Sequence, residues 1–342
     1  MINFFKAVTF FLLDGLLGMH QSIKIIITLL VSATIFASEK NSIKEVPPFN
    51  FTKAEFVNAT TTRIPFKVID QLIVVEVEIL NEVGDFILDT GSETLILNSA
   101  HFKPTRQYRI DGQQKSGVND HIEDVKEKYL NLLSINDINL KKLNADVIDL
   151  SHIERTKKIK LLGIIGYSVL KDFEIFIDMH LNQLTLSKID NKGNKVSDKV
   201  YAETIMDSID FTLKKHTIIL KAYVGNKAVK FGLDTAAEYN QLNETLDSEI
   251  LDYFYPNREL KLTGASGNKK KVLAGKLYSV KLSDSIYFGP MKTVLANLIK
   301  MNAAFGTHLD GVLGFEFFLQ KRTIINYKKK KLYFFPNPIV SP

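Results

Sequence analysis

The 342-residue chain contains no cysteine, which excludes a disulfide framework, a thiolate zinc site and a cysteine nucleophile. The fold must therefore hold by packing. Seven histidines are scattered without metal-ligand spacing, so zinc-dependent hydrolysis has no support. The glycine-containing run Gly264-Ala265-Ser266-Gly267 is not the Gly-x-Ser-x-Gly elbow of serine hydrolases. Glycine patterns that cradle phosphates or bind dinucleotides are also lacking. The sequence thus calls for no metal and no cofactor.

No apolar run is long enough for a comfortable membrane span. The longest candidate follows Lys24, runs from Ile25 to Phe36, and ends at Ala37-Ser38 before Glu39 and Lys40. Its twelve residues fall short of the about 20 that a span needs, and the layout is that of a signal peptide. Residues 1–38 are read as a signal peptide or N-terminal anchor, with Met1 or Met19 as the start. Export to the periplasm or outside the cell is expected, with membrane association only if this segment is uncleaved. Residues 39–63 are read as an N-terminal arm or a short pro-segment.

What is present describes a globular protein, with 45% hydrophobic and 24% charged residues. The net charge of +6 is concentrated at Lys269-Lys270-Lys271 and Lys328 to Lys331. Both clusters lie between alternating apolar stretches, where hairpin turns are expected. They read as solvated turns, and the aromatic-basic interleaving of single-strand binders is missing, so no nucleic-acid partner is expected.

An internal duplication organises the chain. Phe66 stands 23 residues before Asp89, and Phe211 stands 23 residues before Asp234. Leu72 to Ile79 leads through a polar turn to Asp85-Phe86-Ile87-Leu88-Asp89-Thr90-Gly91-Ser92. Thr217 to Val224 leads through Gly225-Asn226 to Lys230-Phe231-Gly232-Leu233-Asp234-Thr235-Ala236-Ala237. Each copy reads as strand, tight turn, strand, Asp-Thr. Gly163 to Leu170 with Glu174 to Asp178 then recurs as Gly311 to Phe318 with Arg322 to Asn326. Short closing strands are expected at Gln183 to Leu186 and Lys331 to Phe335. Lobe 1 is placed at 64–189, a polar linker around Gly193 at 190–199, and lobe 2 at 200–342. Candidate flap hairpins lie at Arg109 to Ile122 and Leu262 to Val272.

An aspartate at the end of a buried strand is costly unless it is paired, hydrogen-bonded or protonated. Two of them, one per half, can meet if the halves pack about a pseudo-twofold axis. Like charges about 3 Å apart cannot both ionise, so one proton is shared and one carboxylate becomes base while the other becomes acid.

The stretch Phe86-Ile87-Leu88-Asp89-Thr90-Gly91-Ser92-Glu93-Thr94-Leu95-Ile96-Leu97 resembles the active-site turn of pepsin-like and retropepsin-like aspartic peptidases. Asp146 to Ser151, Gly163 to Gly166 and Ile175 to Asp178 extend the resemblance to bacterial retropepsin-like aspartyl proteases with two tandem lobes. It implies an all-β protein with minor helices, a bilobal acid-protease fold of two pseudo-twofold-related barrel-like lobes, and an active site at their seam. It further implies a monomer with an intramolecular catalytic pair, Asp89 and Asp234, acting on a peptide or protein substrate. Thr90, Gly91, Ser92, Thr235, Ala236 and Ala237 are then the supporting turn residues. Ile165 with Gly166, and Leu313 with Gly314, belong to the strands that brace each turn.

The second half departs from the family pattern, because Ala236 stands where the family has glycine. Two other readings stay open on that ground. One is a peptide-binding protein that has lost turnover; the other is a homodimer that uses the first lobe alone. Ser92 is expected to hydrogen-bond Asp89 through its hydroxyl and to leave Asp89 with more of the shared charge, since Ala237 offers Asp234 no hydroxyl.

Overall fold

A computed structural model describes residues 56–58, 60–109, 115–117, 120–122, 124–197, 205–263 and 269–336. The expected leader, most of the 39–63 arm, and the tips of both expected flaps lie outside these residues. The chain is mostly β, with 55% in strands and 12% in helices, so the all-β expectation holds at the level of class. Among the described residues no helix is long and apolar enough to cross a membrane.

The strand pattern follows from side-chain alternation. Along Leu72–Ile79 the first four residues are buried, after which Glu76 and Glu78 face solvent while Val77 and Ile79 face the core. Thr217–Val224 repeats the pattern, with Lys221 and Tyr223 outward and Ala222 and Val224 inward. Both strands are rich in β-branched residues, whose side chains pack well on a pleated surface.

In the first half, six strands close into a barrel. Their spatial order is Leu72–Ile79, Glu82–Leu88, Leu161–Ile165, Leu95–Asn98, Ile138–Ile148 and Asp124–Ile135. Ser134 of the last strand faces Glu78 of the first and closes the ring. The second half keeps the order: Thr217–Val224, Lys227–Leu233, Gly311–Leu313, Asn240–Asn243, Met291–Ala296 and Lys269–Leu277. There Val280–Lys281, following Lys269–Leu277, returns to Thr217–Val224. In both halves the strand that ends at the aspartate runs parallel to the Gly-x-x-Gly strand, which is antiparallel to the strand after the Asp-Thr turn.

A seven-stranded sheet joins the halves. Its order is Phe56–Asn58, Thr61–Pro65, Gln183–Lys188, Phe173–Asp178, Arg322–Asn326, Lys331–Phe335 and Asp207–Asp210. The end of the expected N-terminal arm is therefore part of a sheet strand. At the centre, Phe173–Asp178 pairs antiparallel with Arg322–Asn326, and Phe176 faces Ile324. The spacing that carries Gly166 onto Gly314 also carries Phe176 onto Ile324, so the pseudo-twofold axis of the sequence repeat passes through this pair. Within the expected linker, Asp190 Oδ1 accepts the N–H groups of Lys192 and Asn194, each at 2.8 Å. Asn326 Nδ2 donates to the Gly193 carbonyl at 2.8 Å and ties the linker to the sheet.

One apolar cluster runs through both halves and includes Phe86, Leu88, Ile175, Phe231, Leu233 and Ile325. Phe86 and Phe231, on equivalent strands, are fully buried. Each such side chain stabilises the fold by roughly 1.5–3 kcal/mol. Because the two aspartate strands share this core, their C-terminal ends are held at a common seam.

Candidate active site

Asp89 and Asp234 follow directly on buried strands that end in Leu88 and Leu233. The N–H of Asp89 donates to the Ile165 carbonyl at 3.0 Å, and that of Asp234 to the Leu313 carbonyl at 2.9 Å. Ile165 and Leu313 thus fix both turns in the same way. Gly166 and Gly314 follow in a tight space: a Cβ at Gly166 would lie 2.2 Å from the Thr94 carbonyl oxygen, and one at Gly314 would lie 2.2 Å from that of Ala237. The N–H of Tyr167 donates to the Ser92 carbonyl at 2.8 Å, and Phe315 repeats the bond to Ala237 at 3.0 Å.

Beneath the carboxyls the two halves interlock. The N–H of Thr90 donates to Thr235 Oγ1 at 3.0 Å, and the N–H of Thr235 donates to Thr90 Oγ1 at 3.0 Å. Thr235 Oγ1 donates to the Leu88 carbonyl at 2.7 Å, and Thr90 Oγ1 to the Leu233 carbonyl at 3.3 Å. Both threonines are fully buried, so each of these groups would be expensive to leave unpaired.

The closeness of the two carboxyls is seen from Gly91. A Cβ added there would lie 2.7 Å from both Cγ and Oδ2 of Asp234, so the first turn touches the second aspartate only because it carries glycine. Asp89 Oδ1 accepts the N–H groups of Gly91 at 2.7 Å and Ser92 at 3.0 Å. Asp234 Oδ1 accepts the N–H of Ala236 at 2.8 Å.

Both aspartates are partly open at the seam yet enclosed by protein. Burial is the largest cause of a carboxyl raised well above its ordinary range at Asp89, followed by the charge of Asp234. Burial also raises Asp234, opposed by hydrogen bonds from the Ala236 N–H and from the Asp89 side chain. Both carboxyls are thus pushed toward the protonated form, and they titrate as a pair rather than singly. The expected Ser92 hydroxyl bond to Asp89 is not formed, because Ser92 Oγ donates to the Thr94 carbonyl at 3.3 Å. That hydroxyl gives Asp89 no extra share of the charge.

Ala236 is accommodated. Its methyl packs against an apolar cluster of the first half that includes Leu72, Val74, Ile87 and Ile164. Ala237, at the position equivalent to Ser92, is buried with Leu298, Met301, Leu309 and Val312. The first expected flap contains a hairpin of Lys115–Gly117 with Asp120–Ile122, and its first strand lies against the helix Ile299–Phe305 of the other half. The second expected flap falls on the long hairpin of Phe254–Thr263 with Lys269–Leu277.

Several site residues were not foreseen. Thr94 Oγ1 donates to Asp146 Oδ2 at 2.7 Å, and Asn240 Oδ1 accepts the Gly314 N–H at 2.7 Å. The buried phenol of Tyr327 is raised by burial and then by the charge of Asp89, and it stacks edge-on to Tyr167 at 5.0 Å. The repeat places His216 at the position of Gln71 and Glu238 at that of Glu93. Among the described residues no cluster of three or more His, Cys, Asp or Glu side chains is arranged to hold a metal ion.

Neither a protein-family model nor a curated protein matches the chain.

Proposed function

We propose that the chain is an aspartic endopeptidase with the bilobal acid-protease fold, hydrolysing peptide bonds with a water activated between Asp89 and Asp234. The observation that carries this reading is the meeting of two carboxyls at the ends of repeat-equivalent strands, with Gly91 of the first turn against Asp234 and the turns locked together by Thr90 and Thr235.

The chemistry follows from one shared proton. Asp234, as carboxylate, takes a proton from water while the water oxygen bonds to the peptide carbonyl carbon. Asp89 gives its proton to the carbonyl oxygen, forming a neutral diol. The C–N bond then breaks, Asp234 returns its proton to the leaving amine, and one diol hydroxyl gives its proton to Asp89 as the acid carbonyl forms. The pair ends as it began, and no covalent intermediate is required.

Supply of both carboxyls by one chain supports an intramolecular pair over a homodimer built on the first half. The packed methyl of Ala236 supports a working turn over a binding-only cleft. The leader-like layout of residues 24–40 makes an exported enzyme the accompanying proposal.

The test is cleavage of a random peptide library by the purified chain between acidic and neutral pH. Turnover lost in both Asp89→Asn and Asp234→Asn variants is the expected result. Peptide binding without cleavage at any pH would favour the binding protein. Turnover that survives Asp234→Asn would remove the intramolecular pair.

A further inference from the structure

The seam is fastened on two sides by contacts that the repeat makes equivalent in place but not in chemistry. On one side, Lys157 Nζ bridges Glu238 Oε1 at 2.6 Å and Asp70 Oδ2 at 3.4 Å. On the other side, Glu93 of the first half faces His216 of the second, with His216 Nδ1 3.7 Å from Glu93 Oε2.

His216 sits in the turn between Thr212–Lys214 and Thr217–Val224, and its side chain is only 4% exposed. Among the described residues neither ring nitrogen has a hydrogen-bond partner. Its ring meets Phe305 edge-on at 5.4 Å, which leaves that side apolar. The charged and polar groups that act on it are Glu93, the Gly91 backbone, neighbouring Lys215 and Asp234.

Neutral imidazole carries one N–H, whereas imidazolium carries two. Two acceptors, the Glu93 carboxylate and the Gly91 backbone, face this ring from the Asp89 turn. A buried imidazole with no bond made is poorly satisfied, and protonation turns both nitrogens into donors for acceptors already near. Gly91 is also the residue whose missing side chain lets the first turn touch Asp234. A shift of Gly91 would therefore be felt at Asp234.

We propose that His216 is a positioning residue that, when protonated, fastens the Asp89 turn to the second half through Glu93 and Gly91 and extends activity toward acidic pH. This rests on the reading of Asp89 and Asp234 as the hydrolytic pair. Burial lowers the affinity of His216 for a proton and Glu93 opposes this, so its charge appears below the ordinary histidine range. The resulting cation favours the singly ionised aspartate pair over the fully protonated one, which holds the acidic edge of activity at lower pH.

Two measurements test the proposal. In the first, the imidazole C–H resonances of His216 are followed by NMR against pH in the wild type and in Glu93→Gln. A midpoint below that of free histidine, falling further in Glu93→Gln, is the expected result; a midpoint that the substitution leaves in place overturns the fastening. In the second, the pH–rate profile on the peptide library is compared between wild type, Glu93→Gln and His216→Gln. An acidic limb moved upward by about 0.5–1 pH unit in His216→Gln is expected, the size of a Coulombic effect between nearby enclosed groups. An equal loss of kcat at every pH, with the limb unmoved, marks a merely structural residue and overturns the proposal. Should His216→Gln not fold, Glu93→Gln carries the same two readouts with a smaller shift in the limb. A wild type without turnover sinks the hydrolytic reading instead, and the NMR titration then decides the His216–Glu93 contact alone.

Discussion

Thr90 and Thr235 exchange hydrogen bonds in both directions across the seam, each N–H donating to the other's Oγ1 at 3.0 Å. Each hydroxyl in turn donates a hydrogen bond to a carbonyl of the opposite half, Thr90 to Leu233 and Thr235 to Leu88. The two halves are joined directly under the carboxyls, so stability and site geometry share one set of bonds.

Replacing Thr90 by Val keeps the shape but removes an acceptor and a donor. It leaves the buried Thr235 N–H unpaired and is expected to destabilise the chain by about 2 kcal/mol. Thr235→Val should cost about the same. Because the residues form one network, the double variant should lose less than the sum, with a coupling of about 0.5–3 kcal/mol in urea unfolding. Additive losses would mean that the threonines act separately.

Gly91 and Ala236 hold equivalent places with opposite tolerances. A methyl at Gly91 would press on the Asp234 carboxyl, whereas the methyl of Ala236 packs into the first half. Gly91→Ala is expected to lower kcat/KM by about 100-fold through displacement of the carboxyl pair. Ala236→Gly should keep activity within a few-fold and lower stability by about 1 kcal/mol, from a freer unfolded chain and lost packing. Equal activity losses in the two variants would contradict this asymmetry.

Much of this arrangement is legible in the sequence. The duplicated strand-turn-strand pattern before Asp89 and Asp234 gives the site, because burial alternates along Leu72–Ile79 and Thr217–Val224 in register with the repeat. Gly166 and Gly314 are legible because only glycine fits their crossings. The route of the Ser92 hydroxyl is not, since a short hydroxyl can turn to either of two acceptors and only the fold decides. The contact of His216 with the Asp89 turn is hidden as well. It joins residues from different halves with different chemistry, so similarity between the copies gives no sign of it.

The shared proton makes stability depend on pH in an uncommon direction for aspartates. Asp89 has an ordinary value of 3.8 and is raised well above it in the folded chain, so the folded state binds more protons than the unfolded one in between. The contribution is fully present below the ordinary value and is lost as pH rises through the raised one. Asp234→Asn removes the like charge and the need to bury it. The variant is therefore expected to melt at a higher temperature than wild type near neutral pH, with the difference shrinking as pH falls toward 4. Thermal melts at a series of pH values check this, and a constant difference would argue against a shared proton.

The sheet that joins the halves carries the last contrast. Across its central pair, Arg322 Nη2 meets Asp178 Oδ2 at 2.7 Å and Arg322 Nε meets the same oxygen at 2.8 Å, with both side chains buried. The repeat carries this pair onto Glu174 and Asn326, where Asn326 Nδ2 donates to Glu174 Oε2 at 2.9 Å. Among the described residues, Arg322→Met would leave Asp178 with the N–H groups of His180 and Leu181 alone. An uncompensated buried charge of this kind costs about 3–5 kcal/mol. Glu174→Gln keeps an acceptor for Asn326, and a loss of about 1 kcal/mol is expected. Because the Arg322–Asp178 pair is shielded from solvent, the Arg322→Met loss should be nearly unchanged between low and high salt. A loss in urea unfolding that faded with added salt would mean that the pair is solvated and that the halves are held together elsewhere.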